Sequence, residues 1–534
     1  MSLSSKPVYV TTSAESRELD RIAIADFGLA GLVLMETAAR SIFSRALDFW
    51  PDLQTRAQKI LVLAGPGQNG GDGWVLARLF SSLGHPVDCF LVGKPGAEPK
   101  GDAAPNFALA KKLNLSIRLV QSDDDPLPTF SDYDLVVDAI FGTGLDRPLT
   151  GQAARTLKSA QAARRSFRVL AVDICSGLSG DAGTAGPEVL PADLTVSLGT
   201  FKWGHFLQDG PALSGELQLG DIGLCPAMLE QAGLRARLLD ASLAKTFVPP
   251  RPKHGHKGSF GHCLMVGGSP GKTGAVVLST LGAQRSGCGL ITAGHPASLS
   301  GVMEAKLTSA MTLSLPEDSQ GGLSFKAAEP ILDFMSKAQA LGLGPGLGLG
   351  EEQKELTLRL ISTAAKPMVI DADALTNLVG RLEELKKVPW PRVLTPHPGE
   401  AARLLGSTSA EVQADRPSAA AALAEKSGAI VVLKGSNTLL AAPSGEILVN
   451  SVGGPVLAAG GSGDLLAGLV AGLLAQNAPP LAAAALGVFL HGLAGDVAAS
   501  RLADRGVLPT EIQACLPEAW KKVLGSGTDN ATYA

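Results

Sequence analysis

Lys59-Ile-Leu-Val-Leu-Ala64 runs directly into Gly65-Pro-Gly-Gln-Asn-Gly-Gly-Asp-Gly73, and a helical pattern follows to Leu83. A short apolar run, a glycine turn and an amphipathic stretch make the first half of a βαβ unit. The alternation continues outward. Residues 87–92, 134–138, 168–173 and 193–197 are β-rich, and 152–165 is helical between two of them. Strands alternating with helices predict a mainly parallel sheet, and so an α/β fold. Upstream, 16–45 reads as helix through Leu32, Met35, Ala38, Ala39 and Ile42. Ligands of such sheets bind beyond the C-terminal strand ends, which here carry Gly65-Pro-Gly67, Asp138 and Asp173.

A second series follows a proline-rich passage, Thr246-Phe-Val-Pro-Pro-Arg-Pro-Lys-His-Gly-His-Lys-Gly258. Its strands fall at 263–266, 290–293, 340–343, 368–371, 392–395 and 429–433, and a hairpin turns at Pro443-Ser-Gly445. Two α/β domains result, 1–225 and 259–526, with 226–258 as linker and 527–534 as a flexible tail.

Composition narrows the function. A net charge of -4 without any Lys/Arg-rich run leaves no electrostatic footprint for nucleic acid. Six scattered cysteines with no CxxC pair fit buried thiols in a reducing cytoplasm. The N-terminus lacks the plan of a signal peptide, and the most apolar stretch, 465–474, is too short to span a bilayer. A cytoplasmic protein with no membrane or nucleic-acid partner is expected.

Gly65, Gly67 and Gly70 satisfy G-x-G-x-x-G, but the acid that should end the next strand is missing, since Asp88 begins it. A hydride-transfer site is therefore a poor match, and a plain turn leaves Asn69 and Asp72 unexplained. Asn69, Asp138 and Ser176 can jointly offer oxygen ligands to a hard cation. Each alone is an ordinary turn former. In the second domain Gly271-Lys-Thr273 mimics a P-loop, but Val266 stands where its first glycine belongs, so Lys272 reads as an exposed turn residue.

Gly344-Pro-Gly-Leu-Gly348, Asp371-Ala-Asp-Ala-Leu375, Thr395-Pro-His-Pro-Gly-Glu400 and Lys434-Gly-Ser-Asn-Thr438 each end a strand and bring glycines or polar heads to one rim. Lys434 and the glycines can hold nucleotide phosphates. Gly460-Gly-Ser-Gly-Asp464 then opens an apolar helix. Asp464 is either a helix cap or a base beside an anion cradle, suited to take a proton from a hydroxyl during phosphoryl transfer.

Taken in order, Leu34-Met-Glu36, the 65–73 and 137–145 strings, Val172-Asp-Ile-Cys-Ser-Gly177, Asp221-Ile-Gly223, His256–His262, Gly344–Gly348, Asp371–Leu375, Thr395–Glu400, Lys434–Thr438 and 458–464 resemble the bifunctional NAD(P)H-hydrate repair enzymes. The resemblance spans almost the whole chain. It implies a Rossmann-like three-layer epimerase domain, followed by a ribokinase-like, ADP-dependent dehydratase domain. By this similarity Gln68, Asn69, Gly70, Gly71 and Asp72 match positions that bind the hydrated dinucleotide. So do Gly142, Thr143, Gly144, Leu145, Asp146, Arg147 and Pro148. Asn69, Asp138 and Ser176 match potassium ligands. Asp173 matches a substrate position and is an acid–base candidate. Ala275, Gly346 and His397 match substrate positions of the dehydratase. Lys434, Gly435, Ser436, Asn437, Thr438 and Gly463 match nucleotide positions, and Asp464 matches the reactive acid. ADP as phosphoryl donor, magnesium, NADH and NADPH hydrates as substrates, and a homo-oligomer are further implications.

The chain departs from the pattern at Thr37, Gln68, Cys175 and Ala459. Cys175 replaces a proline and is expected to loosen the turn presenting Ser176. Ala459 removes a phosphate hydrogen bond. The rival readings are a ribokinase-like small-molecule kinase fused to a dinucleotide-binding domain, and a nucleotide-sensing scaffold.

Overall fold

The computed structural model describes residues 7–144 and 147–525. The chain divides between Ala236 and Arg237 into two compact units.

Unit 1 is built on seven parallel strands in the order Ser116–Val120, Val87–Val92, Ile60–Ala64, Leu135–Ala139, Arg168–Val172, Leu194–Leu198 and Glu216–Gly220. Ile60, Val62 and Val137 pack on one face with Trp74 and Phe80, while Leu61, Leu63 and Val136 face Leu157 on the other. Apolar residues on both faces make each strand a continuous hydrophobic run, as a helix-covered parallel sheet requires. Chain order reverses between the 60–64 and 135–139 strands, which places a binding crevice where their two loops leave the sheet.

Unit 2 carries ten strands. From Ile430–Leu433 the parallel order runs through Arg392–Leu394, Met368–Ile370, Ala340–Leu343, His262–Val266 and Leu290–Pro296 to Met311–Leu315. Leu439–Ala441 and Ile447–Asn450 add the expected hairpin antiparallel, and Ala236–Leu239 closes that edge. Its switch point lies between the 262–266 and 340–343 strands, where Gly267 and Gly344 begin their loops.

Three expectations change. Residues 16–45 are not one helix: Ser13–Arg21 passes into a π turn at Ile22–Asp26, breaks at Gly28 and resumes as Gly31–Phe49. Residues 226–258 are not simply linker, because Pro226–Ala232 packs Met228 and Leu229 into unit 1 while 236–239 enters the second sheet. The edge strands 116–120, 216–220 and 311–315 were not legible, since their half-exposed sequences lack the apolar density of the central ones. The expected 527–534 tail lies outside the described residues.

Helix Pro480–Arg501 is long and apolar enough to cross a membrane, but 83% of its most apolar window is buried inside unit 2. It packs with Ser462–Ala475 in that unit's core.

Candidate active sites

In unit 1 the glycine string is less loop than helix. Only Gly65, Pro66 and Gly67 lie outside; Gln68 to Gly73 open the helix Gln68–Ser82. The glycines serve close approach: a Cβ at Gly65 would sit 2.0 Å from the Ile140 carbonyl oxygen, and one at Gly70 would sit 1.9 Å from that of Gly65. Only backbone fits where these two loops meet.

The first helical turn brings Asn69 and Asp72 to the crevice. Asp72 is buried, and its Oδ1 and the Asn69 Nδ2 have no hydrogen-bond partner among the described residues. Such orphaned groups are costly unless something else satisfies them. Burial, then Asp173 and Asp20, raise the Asp72 carboxyl well above its ordinary range. From the next strand comes Asp138, fully buried and bound to Ser176 through both the backbone N–H (2.8 Å) and the hydroxyl (2.5 Å). Burial also raises its carboxyl, against the pull of the Ser176 bonds. These bonds hold the turn that Cys175 was expected to loosen, and Cys175 itself reaches the Leu213 carbonyl at 3.3 Å.

A Cβ at Gly142 would stand 3.1 Å from Asn69 Oδ1 and 3.5 Å from Asp173 Oδ2, so both side chains converge there. Thr143 offers its carbonyl to Arg17 at 3.4 Å, and Gly144 is exposed. Gln68, Arg147 and Pro148 are exposed, while Leu145 and Asp146 lie outside the described residues.

Three residues that motif reading missed complete this site. Lys202 is buried and ion-paired with Asp173, and His205 Nε2 lies 3.1 Å from the Asp173 carbonyl. Burial and Lys202 hold the His205 imidazole down to about 3, hence neutral. Asp20, on the first helix, is reached by solvent, yet the protein around it pushes its carboxyl up to about 6; Lys202 opposes and Asp173 adds to that push. No glycine string flags these positions, although Lys202 and His205 lie in one short segment, Phe201-Lys-Trp-Gly-His205.

In unit 2 a Cβ at Gly346 would be 3.2 Å from that of Ala275, so these two residues meet at the switch point. Lys272 is half-exposed, as read from the sequence, but it pairs with Asp373 at 3.1 Å, and Asp373 also accepts from the Gly348 N–H at 2.9 Å. His397 is the N-cap of Pro398–Leu405: its Nδ1 accepts from Gly399 and Glu400 N–H at 3.0 and 3.4 Å. That makes Nδ1 the acceptor and Nε2 the protonated nitrogen, which lies 3.6 Å from Glu400 Oε1. Burial and then Lys434 lower its value.

Lys434 pairs with buried Asp371 at 2.9 Å, and Thr395 Oγ1 donates to the same carboxylate oxygen at 2.7 Å. Its ammonium would stand 3.2 Å from a Cβ at Gly463. Burial lowers Lys434, but Asp371 and Glu400 outweigh it and the net shift is upward. Beneath the Lys434–Thr438 loop, buried Arg416 donates to the Ser436 carbonyl and, at 3.3 Å, to that of Leu433. Thr438 turns its hydroxyl to the Gly435 carbonyl at 3.3 Å, and Asn437 takes a left-handed φ of 50°.

Asp464 is not an N-cap. Gly461, at φ 94°, is the cap of Ser462–Ala475, and Asp464 is its third helical residue. Burial first, then Asp371, raise its carboxyl to about 7, with Lys434 opposing. Ser462 meets His491 Nε2 at 3.0 Å, a second contact invisible to motif reading. Among the described residues no three His, Cys, Asp or Glu side chains stand together as a metal cage. A cleft of about 700 Å³ beside the edge strand, lined by Phe107, Leu115 and Leu119, contains none of the residues discussed.

The two sites thus lie at two switch points, one around the hydrogen-bonded Asp138 and the other around Lys434 and Asp464. Residues 31–204 match the family described as YjeF-related protein N-terminus, and 263–518 match that described as NAD(P)H-hydrate dehydratase. The bifunctional NAD(P)H-hydrate repair enzyme Nnr of Moorella thermoacetica is 38% identical over 516 residues, 96% of each chain. The chain belongs to this family. The Escherichia coli member is 32% identical over 95% of this chain and 93% of its own. A solved ADP/ATP-dependent NAD(P)H-hydrate dehydratase from Bacillus subtilis, crystallised with ATP and magnesium, is 30% identical, covering 54% of this chain and 98% of its own with TM-score 0.48. As a family member, the chain is an epimerase domain followed by a dehydratase domain, each built on its own α/β sheet.

Proposed function

We propose that unit 1 interconverts the R and S hydrates of NADH and NADPH and that unit 2 dehydrates the S hydrate at the expense of ADP. The observation that carries this reading is Asp464. A half-buried carboxyl pushed to about 7 sits beside Lys434, at the start of a glycine-capped helix. Hydroxide is a poor leaving group and phosphate a good one. Asp464 takes the proton of the ring hydroxyl as the terminal phosphoryl group of ADP passes to that hydroxyl oxygen and AMP leaves. The ring nitrogen's lone pair then expels phosphate, and loss of a proton from the adjacent ring carbon restores the dihydronicotinamide. Lys434 and the Gly435–Thr438 backbone hold the nucleotide, while Ala275, Gly346 and His397 hold the hydrate. Magnesium would ride on the nucleotide phosphates and screen their charge, in keeping with the lack of a three-residue protein cage among the described residues.

In unit 1 we assign Asn69, Asp138 and Ser176 to potassium. Asp138 is a buried carboxylate without an ion-pair partner among the described residues, and a monovalent cation would balance it. Asp173 serves as the acid–base group, with Asp72, Gly142 and Thr143 against the hydrated dinucleotide. The same reading places the protein in the cytoplasm as a homo-oligomer without nucleic-acid or membrane partners, in keeping with its charge. The test is a mixture of hydrate epimers with ADP and magnesium: the dihydronicotinamide absorbance should return completely. Recovery of only the S fraction, no faster than spontaneous epimerisation allows, would refute the unit 1 half.

A further inference from the structure

We infer that Lys202 is a positioning residue for epimerisation: with His205 it fixes Asp173 so that one carboxylate oxygen is held and the other faces Asn69 and Gly142. The inference rests on reading unit 1 as the epimerase.

The Lys202 side chain is 1% exposed. Its ammonium reaches Asp173 Oδ1, the Leu198 and Thr200 carbonyls at 3.1 Å each, and Ser197 Oγ at 3.3 Å. The Leu198 N–H gives Oδ1 a second donor at 2.9 Å. Oδ1 is therefore committed, and Oδ2 is the oxygen turned to the crevice. The backbone is gripped as well. Asp173 lies in the left-handed region at φ 66°, its N–H donates to the Val196 carbonyl at 2.9 Å, and its own carbonyl accepts from His205 Nε2. His205 Nδ1 accepts the Lys202 N–H at 3.1 Å, which fixes Nε2 as the protonated nitrogen. Lys202 and His205 thus hold the two ends of one residue. Lys202 is placed in turn by the parallel pairing of Phe201 and Lys202 with Val10 and Thr11.

Stability alone does not account for this arrangement. A buried ion pair is often no better than packed hydrophobic residues, and the left-handed region is strained for a residue other than glycine. Two such costs meet at a strand-end acid that faces the proposed reacting site. What they secure is direction: a carboxylate that cannot rotate meets the substrate from a single side, at no further entropic cost on binding.

The experiment uses the full chain without nucleotide and the R epimer of NADPH hydrate, with S epimer resolved by chromatography and the spontaneous rate subtracted. Lys202→Met should lower kcat about 100-fold while KM stays within about threefold, because positioning acts on the transition state more than on binding. ADP-dependent dehydration of pure S epimer should be unchanged. Asp173→Asn and the double variant Asp173→Asn/Lys202→Met should be equally slow, since Lys202 works through Asp173. If Lys202→Met alone fails to fold, the double variant, with no charge left unpaired, carries that comparison. A Lys202→Met enzyme with wild-type kcat, or additive losses in the double variant, would overturn the inference alone. A wild-type chain that does not epimerise would instead overturn the reading beneath it.

Discussion

Lys434 spends its charge on Asp371, 2.9 Å away, while its ammonium stands over Gly463, so Asp464 is left next to a lysine already paired with another acid. Burial first, and then the charges of Asp371, Asp373 and Glu400, disfavour the ionised Asp464, and the lysine only partly offsets them. A carboxyl at about 7 is suited to the role of base proposed for Asp464. We expect Asp464→Asn to abolish dehydration of the S hydrate, by about 1000-fold or more, while epimerisation of the R hydrate persists. Loss of both activities would show that the substitution acts through folding.

The same crowding predicts a pH dependence. The folded-state value, about 7, lies above the ordinary 3.8, so the folded protein binds this proton more tightly than the unfolded chain. The ionised group therefore costs stability, progressively as pH rises from about 4 to about 7 and fully above that. Two results should follow. The dehydratase kcat/KM should rise with pH and level off above about 7. Asp464→Asn should raise the melting temperature of unit 2 at pH 8 but not near pH 4, by about 2–4 °C for each kcal/mol relieved. Calorimetry at both pH values decides it, and equal melting temperatures at pH 8 would remove the premise.

How much of this was legible in the sequence varies with the physics. The central strands and the glycine-bearing loops at their ends were readable, because strands buried on both faces are dense apolar runs, whereas the strand order that makes two of those ends switch points was not. The Asn69, Asp138 and Ser176 positions and the Lys434–Asp464 rim were readable because chemistry and backbone geometry fall in the same short strings. Lys202, His205, Asp20 and His491 were not. Each reaches its partner over long sequence separation: Lys202 meets Asp173 from 29 residues away, and His491 meets Ser462 from 29 residues away. A buried lysine looks like any other lysine until its surroundings are known. The glycine strings also misled about local structure, since Gln68 and Ser462 already belong to helices.

The Asp138 assignment can be checked apart from turnover. If Asp138 with Ser176 and Asn69 holds potassium, the ion stabilises the folded state by mass action. We expect the melting temperature of unit 1 to climb as potassium replaces a bulky organic cation at constant ionic strength. Asp138→Ala should abolish that climb and weaken epimerisation, leaving ADP-dependent dehydration intact. A potassium response that survives Asp138→Ala would rule the assignment out.

Helix Ser462–Ala475 is set against Thr273–Arg285 by glycine, and here the packing itself can be tested. A Cβ at Gly468 would fall 1.7 Å from the Ser279 carbonyl oxygen, an overlap that backbone cannot relieve by a rotamer change. Gly468→Ala should therefore force the helices apart and cost about 3 kcal/mol or more. Because Asp464 rides on the first turn of that helix, dehydration should fall with stability, while the epimerase of unit 1 continues. Urea melts followed by both activities would separate the two units.

His397 performs two tasks that one substitution can divide. Its Nδ1 caps the 398–405 helix, and its Nε2–H, 3.6 Å from Glu400 Oε1, meets the hydrate on the proposed reading. Asparagine is a good N-cap but is too short to reach where Nε2 lies. His397→Asn should therefore keep the melting temperature of unit 2 and raise KM for the S hydrate about tenfold, the worth of one hydrogen bond of roughly 1.4 kcal/mol. KM for ADP should not move. His397→Ala should show the same rise in KM together with a loss of about 1 kcal/mol of stability, because the cap is lost as well. Titration of both variants with pure S hydrate, beside their thermal melts, gives the comparison. If alanine and asparagine destabilise alike, the cap is not what His397 contributes; if KM stays at the wild-type value in both, His397 does not touch the substrate.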